Sequence, residues 1–440
     1  MASTKISRTQ ASNGTKKLTI SAWVKRTKTN TSEPNLGSDQ TICSSFYSTS
    51  YYGYLRFNGS DQLVFGDYRT TTLMILATNA VFRDTSAWYH IVATFDATVG
   101  SPQAKIYVNG VLQTLATNTN YSQNQSTSWN TDYPFNIGAF NNGEYLNGSL
   151  ADFYYIQGQS YDASTFGETD ATTGIWKPIL NPTIDYSSTG TNSCHLKFED
   201  ASNLDLDSGA NNLTFSTSGT LTKTEDCPSN VFAVYNQLLN IPSSELSNGA
   251  TTILNASSAS TRPILSSLGA SSGKFYAEFK TVTASSASRV GICAMDKYVL
   301  TEFTGVNALS YGYLAGGTVA NNNSTTISGL SSYTSGDIIG VYIDLDNNFL
   351  YFAKNGVLQN SGVPTSGATG TGGQAITANN TYGFHVTVGS SSKKTTANFG
   401  NGYFGTTVVA SAGTNASSNG IFEYDVPTGY TALSTKGLNL

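Results

Sequence analysis

Two pairs of aspartates stand at the i, i+2 spacing that puts both carboxylates on one face of a strand: Asp344 with Asp346, and Asp205 with Asp207. Two carboxyl groups roughly 5 to 10 Å apart and aimed at one bond are what glycoside hydrolysis needs. Both pairs lie among turn residues. The first flanks Asn347-Asn348, and the second sits in an Asp/Asn/Gly stretch over 204–212. Asp and Asn in such places bond their own backbone, so turn formation accounts for them. The three histidines, His90, His195 and His385, are far apart, and each falls in a strand-like run. They read as partly buried strand histidines, and no Ser-His-Asp or Cys-His grouping is local. Gly269, Gly273, Gly316 and Gly317 are turn glycines rather than a phosphate cradle, because no helix follows them. The chain reads as non-enzymatic. Cys43, Cys194, Cys227 and Cys293 form no CxxC and read as buried thiols, with a Cys194–Cys227 bridge left open.

The elements that would carry any site are strands. One hairpin pattern occurs twice. WYHIVATFD, over 88–96, leads through a turn to KIYV, then Asn109-Gly110 and VLQ. GDIIGVYIDLD, over 336–346, leads through Asn347-Asn348 to FLYFA, then Asn355-Gly356 and VLQ. Asn-Gly is a strong hairpin signal because a type I′ turn needs φ > 0 at both central residues. The flanking segments differ, so this is one hairpin solution used by two different β-domains.

Only 12% of the 440 residues are charged and the net charge is −5, which leaves no basic footprint for nucleic acid. The 26 Tyr and 21 Phe supply a sizeable core, while the polar surface is Ser/Thr/Asn-rich rather than ionic. No apolar run reaches the roughly 20 residues needed to span a bilayer, so membrane insertion is not expected. Residues 1–20 lack the apolar core of a signal peptide, so the expectation is synthesis in a cytoplasm and release by some route other than general secretion.

In chain order, LTISAWV, TICSSFY, YYGYLRF, QLVFGDY and TTLMILA are short strands punctuated by turns, without a helical period. All four tryptophans lie in the first 176 residues, which places a domain boundary soon after them. The expected fold is all-β: two antiparallel sandwiches, 1–180 and 266–440, joined by a partly β segment over 181–265. Trp23-Val24, WYHIVATFD, KIYVNGV, Asn136-Ile137-Gly138 and GSLADFYY together resemble the laminin-G-like, concanavalin A-like jelly rolls. FGETDATTGIWKP, over 166–178, resembles the tail of such domains in structural proteins of marine bacteriophages. GKFYAEF, the second hairpin, ANFG and PTGYTAL resemble the SPRY domain.

The first resemblance implies a glycan- or protein-binding face. It also implies Ca²⁺ as the cofactor to consider, held by loop oxygens at Asp96, Asn109 and Asp152, although turns alone account for Asp96 and Asn109. The ExDxxE-type strand of glucanase relatives is missing. A sugar site on such a sandwich would stack exposed aromatics on pyranose faces and bond hydroxyls with amides. The Tyr-rich loops 45–54, 121–133 and 140–145 have that composition. They nominate Tyr47, Tyr51, Tyr52, Trp129, Tyr133, Asn141, Asn142 and Tyr145, unless these loops pack against neighbouring subunits.

The combined expectation is a bacteriophage virion surface protein, a tail or head fibre or decoration, that binds host-surface glycans. Its partners would be other virion proteins and further copies of itself, a trimer among the assemblies considered. A decoration protein without a receptor role, a glycan-degrading depolymerase and a cellular glycan-binding adhesin are the alternatives.

Overall fold

The computed structural model describes residues 4–29, 39–101, 103–186, 192–239, 244–256, 260–390 and 392–440. The chain divides into two compact units, Met1–Lys223 and Thr224–Leu440. Segment 181–265, read from the sequence as a connector, contributes strands to each of them.

In the first unit the strands are β1 (Lys5–Thr9), β2 (Lys17–Arg26), β3 (Gln40–Ser48), β4 (Tyr51–Phe57) and β5 (Gln62–Arg69). Next come β6 (Thr71–Val81), β7 (Tyr89–Asp96), β8 (Gln103–Val108), β9 (Val111–Leu112) and β10 (Leu115–Thr119). The last are β11 (Pro134–Ile137), β12 (Gly148–Gln157), β13 (Gly167–Thr169), β14 (Trp176–Pro178), β15 (Cys194–Leu196) and β16 (Ser216–Ser218). Among the described residues they form an eight-stranded sheet, β10-β6-β5-β4-β3-β11-β1-β16, and a six-stranded sheet, β15-β12-β2-β7-β8-β9. The two sheets enclose one core: Leu18, Ile20, Ile91 and Phe95 from the smaller sheet, and Leu55, Phe57, Phe65 and Leu76 from the larger. Period-2 alternation is what sends these residues inward.

The second unit is built the same way. A nine-stranded sheet centred on Lys274–Thr283 faces a six-stranded sheet centred on Arg289–Ala294 and Tyr382–Val388. Phe279, Ile339, Val341, Ile292 and Phe384 lie in the core between them. The expected all-β, two-sandwich class is the observed one. Cys43, Cys194, Cys227 and Cys293 are free thiols, so the Cys194–Cys227 bridge is not formed.

The repeated hairpin has the same local structure in both units. Asn109 and Asn355 each have φ 48°, followed by Gly110 at 81° and Gly356 at 78°. Each Asn Oδ1 accepts an N–H near the start of the neighbouring strand, that of His90 or Ile338, at 2.8 Å. Gln113 and Gln359 each donate Nε2 to the carbonyl two residues back. An aromatic ring then closes over each glycine. A Cβ on Gly110 would come 2.5 Å from the Trp176 ring, and one on Gly356 would come 2.6 Å from that of Tyr424. Positive φ and the overlying ring both require glycine. Gly110→Ala and Gly356→Ala are each expected to destabilise their unit by about 2 kcal/mol, combining backbone strain with overpacking. Thermal unfolding of the full chain measures this, and an unchanged melting temperature would mean the rings are not fixed there.

Candidate functional site

The β3–β4–β5 meander positions the site. Gly53, Leu55 and Phe57 of β4 turn into the core, so Tyr52, Tyr54 and Arg56 must project from the opposite face. Register places Phe46 opposite Tyr52, and Tyr52 opposite Tyr68. The result is an aromatic ladder across three strands. Tyr52 stacks on Tyr68 with centroids 5.1 Å apart and on Phe46 at 6.4 Å. Phe140 stands edge-on to Phe46 at 5.1 Å and to Tyr52 at 5.3 Å. Phe46, Tyr52, Tyr68 and Phe140 are all partly exposed. Each such pair contributes about 1 kcal/mol beyond burial, enough to hold the rings in place without covering them.

The next rung anchors the ladder. Tyr54 lies across Gly66, where a Cβ would come 2.4 Å from its ring. The Arg56 guanidinium sits 4.0 Å from the Tyr54 ring centroid and pairs with Asp39 and Glu144, each at 2.9 Å. Burial raises the hydroxyl pKa values of Tyr52 and Tyr54 above the ordinary tyrosine value, so both phenols are neutral donors. Tyr68 spends its hydroxyl on the Thr70 carbonyl at 2.9 Å.

On the opposite side of the same hairpin, Tyr47 is 65% exposed and stacks on Tyr133 at 5.0 Å. Tyr51 meets Tyr47 edge-on at 6.4 Å and lies under the Arg69 guanidinium, which also bonds the Tyr133 hydroxyl. The structure thus separates the nominated residues: Tyr47, Tyr51 and Tyr133 gather at this rim, while Tyr52 belongs to the ladder. Asn142 Oδ1 and the Asn141 carbonyl accept the Lys5 ammonium, both at 2.9 Å. Tyr145 bridges to Thr41 and is partly buried. Trp129 is a correction. It is fully buried, packing over Gly53 and against Phe65 at 5.5 Å, so it stacks on no ligand. The reason is Gly53, whose missing side chain leaves an inward slot that the largest ring fills. Stretch 45–54 is likewise a strand hairpin, not a loop.

The residues considered for Ca²⁺ occupy turns and a bulge. Asp96 accepts from Thr98 N–H at 2.8 Å and pairs with Lys17 at 2.9 Å. Asn109 belongs to the hairpin tip at the other end of β7. Asp152 has φ 47° in the bulge of β12, and its Oδ1 lies 3.2 Å from His195 Nε2. Among the described residues, no group of three His, Cys, Asp or Glu side chains converges in a way that could hold a metal ion.

The carboxylate pairs are tied down as well. Asp207 accepts three backbone N–H groups, those of His195, Gly209 and Leu213. Asp205 takes the Thr217 hydroxyl at 2.7 Å. Asp344 is fully buried against Lys274 at 2.9 Å, and Asp346 accepts Gly273 N–H at 2.7 Å. Ser21 Oγ lies 2.9 Å from His90 Nε2, an arrangement resembling a nucleophile and its base. Trp176 rules that out. Its indole N–H, a donor only, points at His90 Nδ1 at 3.0 Å, so the imidazole proton resides on Nε2 and His90 donates to Ser21. Burial between Trp23 and Trp176 pushes the His90 pKa down to about 3.

The profile of the Concanavalin A-like lectin/glucanases superfamily matches residues 2–158, and that of the SPRY domain matches residues 274–401. The chain therefore contains a laminin-G-like, concanavalin A-like domain followed by a SPRY domain, folds that often serve as carbohydrate- or protein-binding modules. Similar solved structures include the SPRY domain of human HERC1, 19% identical, covering 37% of this chain and 96% of its own, with TM-score 0.30. A further human SPRY domain is 19% identical over 35% of this chain and 94% of its own, with TM-score 0.27. Stonustoxin is 12% identical over 57% of this chain and 33% of its own, with TM-score 0.30. No curated protein matches the chain.

Four buried titratable groups set the response to acid. Burial lowers His90 and His385 to about 3 and raises Asp67 to about 6 and Glu278 to about 7. Depressed histidines give stability that is full above their ordinary pKa, about 6.5, and lost as pH falls toward about 3. Raised carboxyls act oppositely: their contribution is full below about 4 and lost as pH rises through about 6 to 7. The two effects oppose between about pH 4.5 and 6; below about 4 the histidine effect continues and is joined by aspartates held below their ordinary pKa by hydrogen bonds and nearby lysines, Asp96, Asp170 and Asp337 among them. Melting temperature is expected to be nearly flat over the first window and to fall steeply below it. Asp67→Asn removes one opposing effect, so its melting temperature should rise with pH across that window. A flat profile for this variant would contradict the assignment.

Proposed function

We propose that this chain is a non-enzymatic binding protein of a bacteriophage particle surface that attaches to host-surface glycans through the outer face of its eight-stranded sheet. The observation that carries the reading is the Phe46–Tyr52–Tyr68 ladder, held partly exposed, with Phe140 standing at right angles at its side. Flat, fixed rings offer stacking area for pyranose faces at low entropic cost. The Arg56–Glu144 pair at the far end of the face and the Tyr52 hydroxyl supply directional polar groups for sugar hydroxyls. The phage setting rests on the resemblance of 166–178 and on the pairing of a jelly roll with a SPRY-like sandwich in one chain. Further copies of the chain and other particle proteins are the proposed partners. Ca²⁺ has no part in this reading.

The test is binding of the full chain to host cells and to extracted surface polysaccharide. Tyr52→Ala with Tyr68→Ala is expected to weaken binding by about 10²-fold, at roughly 1–2 kcal/mol per lost stacking ring, in a chain that stays folded at the assay temperature although the lost ring pairs lower its melting temperature. Tyr47→Ala at the rim should change it by less than about threefold. Saturable binding that survives the double variant would move the site off this face. No binding by the unaltered chain would leave particle decoration as its role.

A further inference from the structure

The second unit carries a groove that the first unit's aromatic face does not explain. It measures about 250 Å³ and opens on the outer side of the nine-stranded sheet, where the hairpin Tyr403–Phe404/Thr407–Val408 folds back over it. Lys280 and Lys394 enter it from hydrogen-bonded neighbouring strands. Asn248, Thr396, Phe404 and Gly405 also line it, and no Asp or Glu does. The Lys280 ammonium rides 5.7 Å from the Phe404 ring centroid, which props it over the groove instead of letting it swing into solvent. Neither lysine has an ion-pair partner among the described residues, whereas Lys274 and Lys354 of the same unit do. Gly405 keeps the floor open: its φ is +68°, and a Cβ there would stand 3.2 Å from Asn248 Nδ2.

We infer that this groove is a second binding site, and that its ligand is an acidic sugar unit whose carboxylate sits between Lys280 and Lys394. Two unpaired ammonium groups in one groove repel each other until an anion joins them. A groove of this size takes about one pyranose ring; Asn248 Nδ2 donates one hydrogen to Thr252 Oγ1 and the Thr396 hydroxyl donates to the Lys280 carbonyl, which leaves the second amide hydrogen and the Thr396 oxygen lone pairs for ring hydroxyls. Lysines act as point charges and select no anion by geometry; the room for a ring, with an amide and a hydroxyl beside the two charges, is what favours a carboxylate carried on a sugar over a bare phosphate. A uronic-acid residue of a surface polysaccharide has this chemistry. The inference uses none of the residues of the proposed glycan face and stands if that face binds nothing.

Saturation-transfer NMR on the full chain tests it, with sodium glucuronate, glucose and inorganic phosphate as probes. Glucuronate is expected to bind, and Lys280→Met with Lys394→Met to weaken it by about tenfold at unchanged melting temperature. Raising salt from about 0.05 to 0.5 M should weaken it similarly. The Tyr52→Ala, Tyr68→Ala variant should bind glucuronate as the unaltered chain does. Unchanged affinity in the lysine variant overturns the inference, as does equal binding of glucose. Phosphate binding as tightly as glucuronate would reduce the groove to a general anion site and overturn its assignment to a sugar. Loss of glucuronate binding in the tyrosine variant would place the acid sugar on the first unit instead.

Discussion

Successive side chains of a strand must leave on opposite faces of the sheet, and that rule decides what the segment YYGYLRF becomes. Leu55 and Phe57 enter the core of the first unit, so Tyr52, Tyr54 and Arg56 are forced outward. A one-residue slip would bury the arginine and expose the leucine, so the core itself fixes the register of the aromatic ladder. The proposed binding face and the hydrophobic core are two consequences of one alternation. The glycines on these strands complete it. Gly53 admits Trp129 on the inner side, and Gly66 lets Tyr54 lie flat on the outer side.

The same economy appears in the polar groups. With few charges available, the chain satisfies its interior with Asn, Ser, Thr and Tyr side chains bonded to backbone. The Asn-Gly hairpin tip is the clearest case, solved identically in two units whose flanking sequences differ. Buried acids follow suit. Glu278 accepts from the backbone N–H groups of Glu423 and Tyr424, the Tyr276 hydroxyl and the Asn398 amide, tying the C-terminal segment to its sheet without a cation. Against this background, Lys280 and Lys394, which share a groove with no acid, stand out as groups kept for something outside the chain.

Much of this was legible in the sequence. Alternation and turn chemistry mark the strands, both hairpins and the two-sandwich class, and the tyrosine-rich stretch 45–54 points to the hairpin on which the proposed face is built. The division of that stretch was not legible without register. Tyr47 and Tyr51 fall on one side, and Tyr52 on the other with Phe46, Tyr68 and Phe140, because cross-strand partners are set by pairing and bulges rather than by local composition. Trp129 misled for a related reason, since a tryptophan in a polar loop looks exposed until the glycine slot beneath it is known. Arg56 and Tyr68 could have been found by alternation, since they stand one and three residues from the inward Leu55 and Phe65 and so face outward. The lysine groove could not, because it joins residues about 150 positions apart in the chain.

Hydroxyl-radical footprinting of the full chain, with and without host-surface polysaccharide, tests the central claim most directly. Bound glycan should protect Phe46, Tyr52, Tyr68 and Phe140 together, and leave the exposed side chains of the Asn-Gly tips, Val111 and Val357, as reactive as before. Protection confined to the tips, or none at the ladder while the polysaccharide is demonstrably bound, would contradict it.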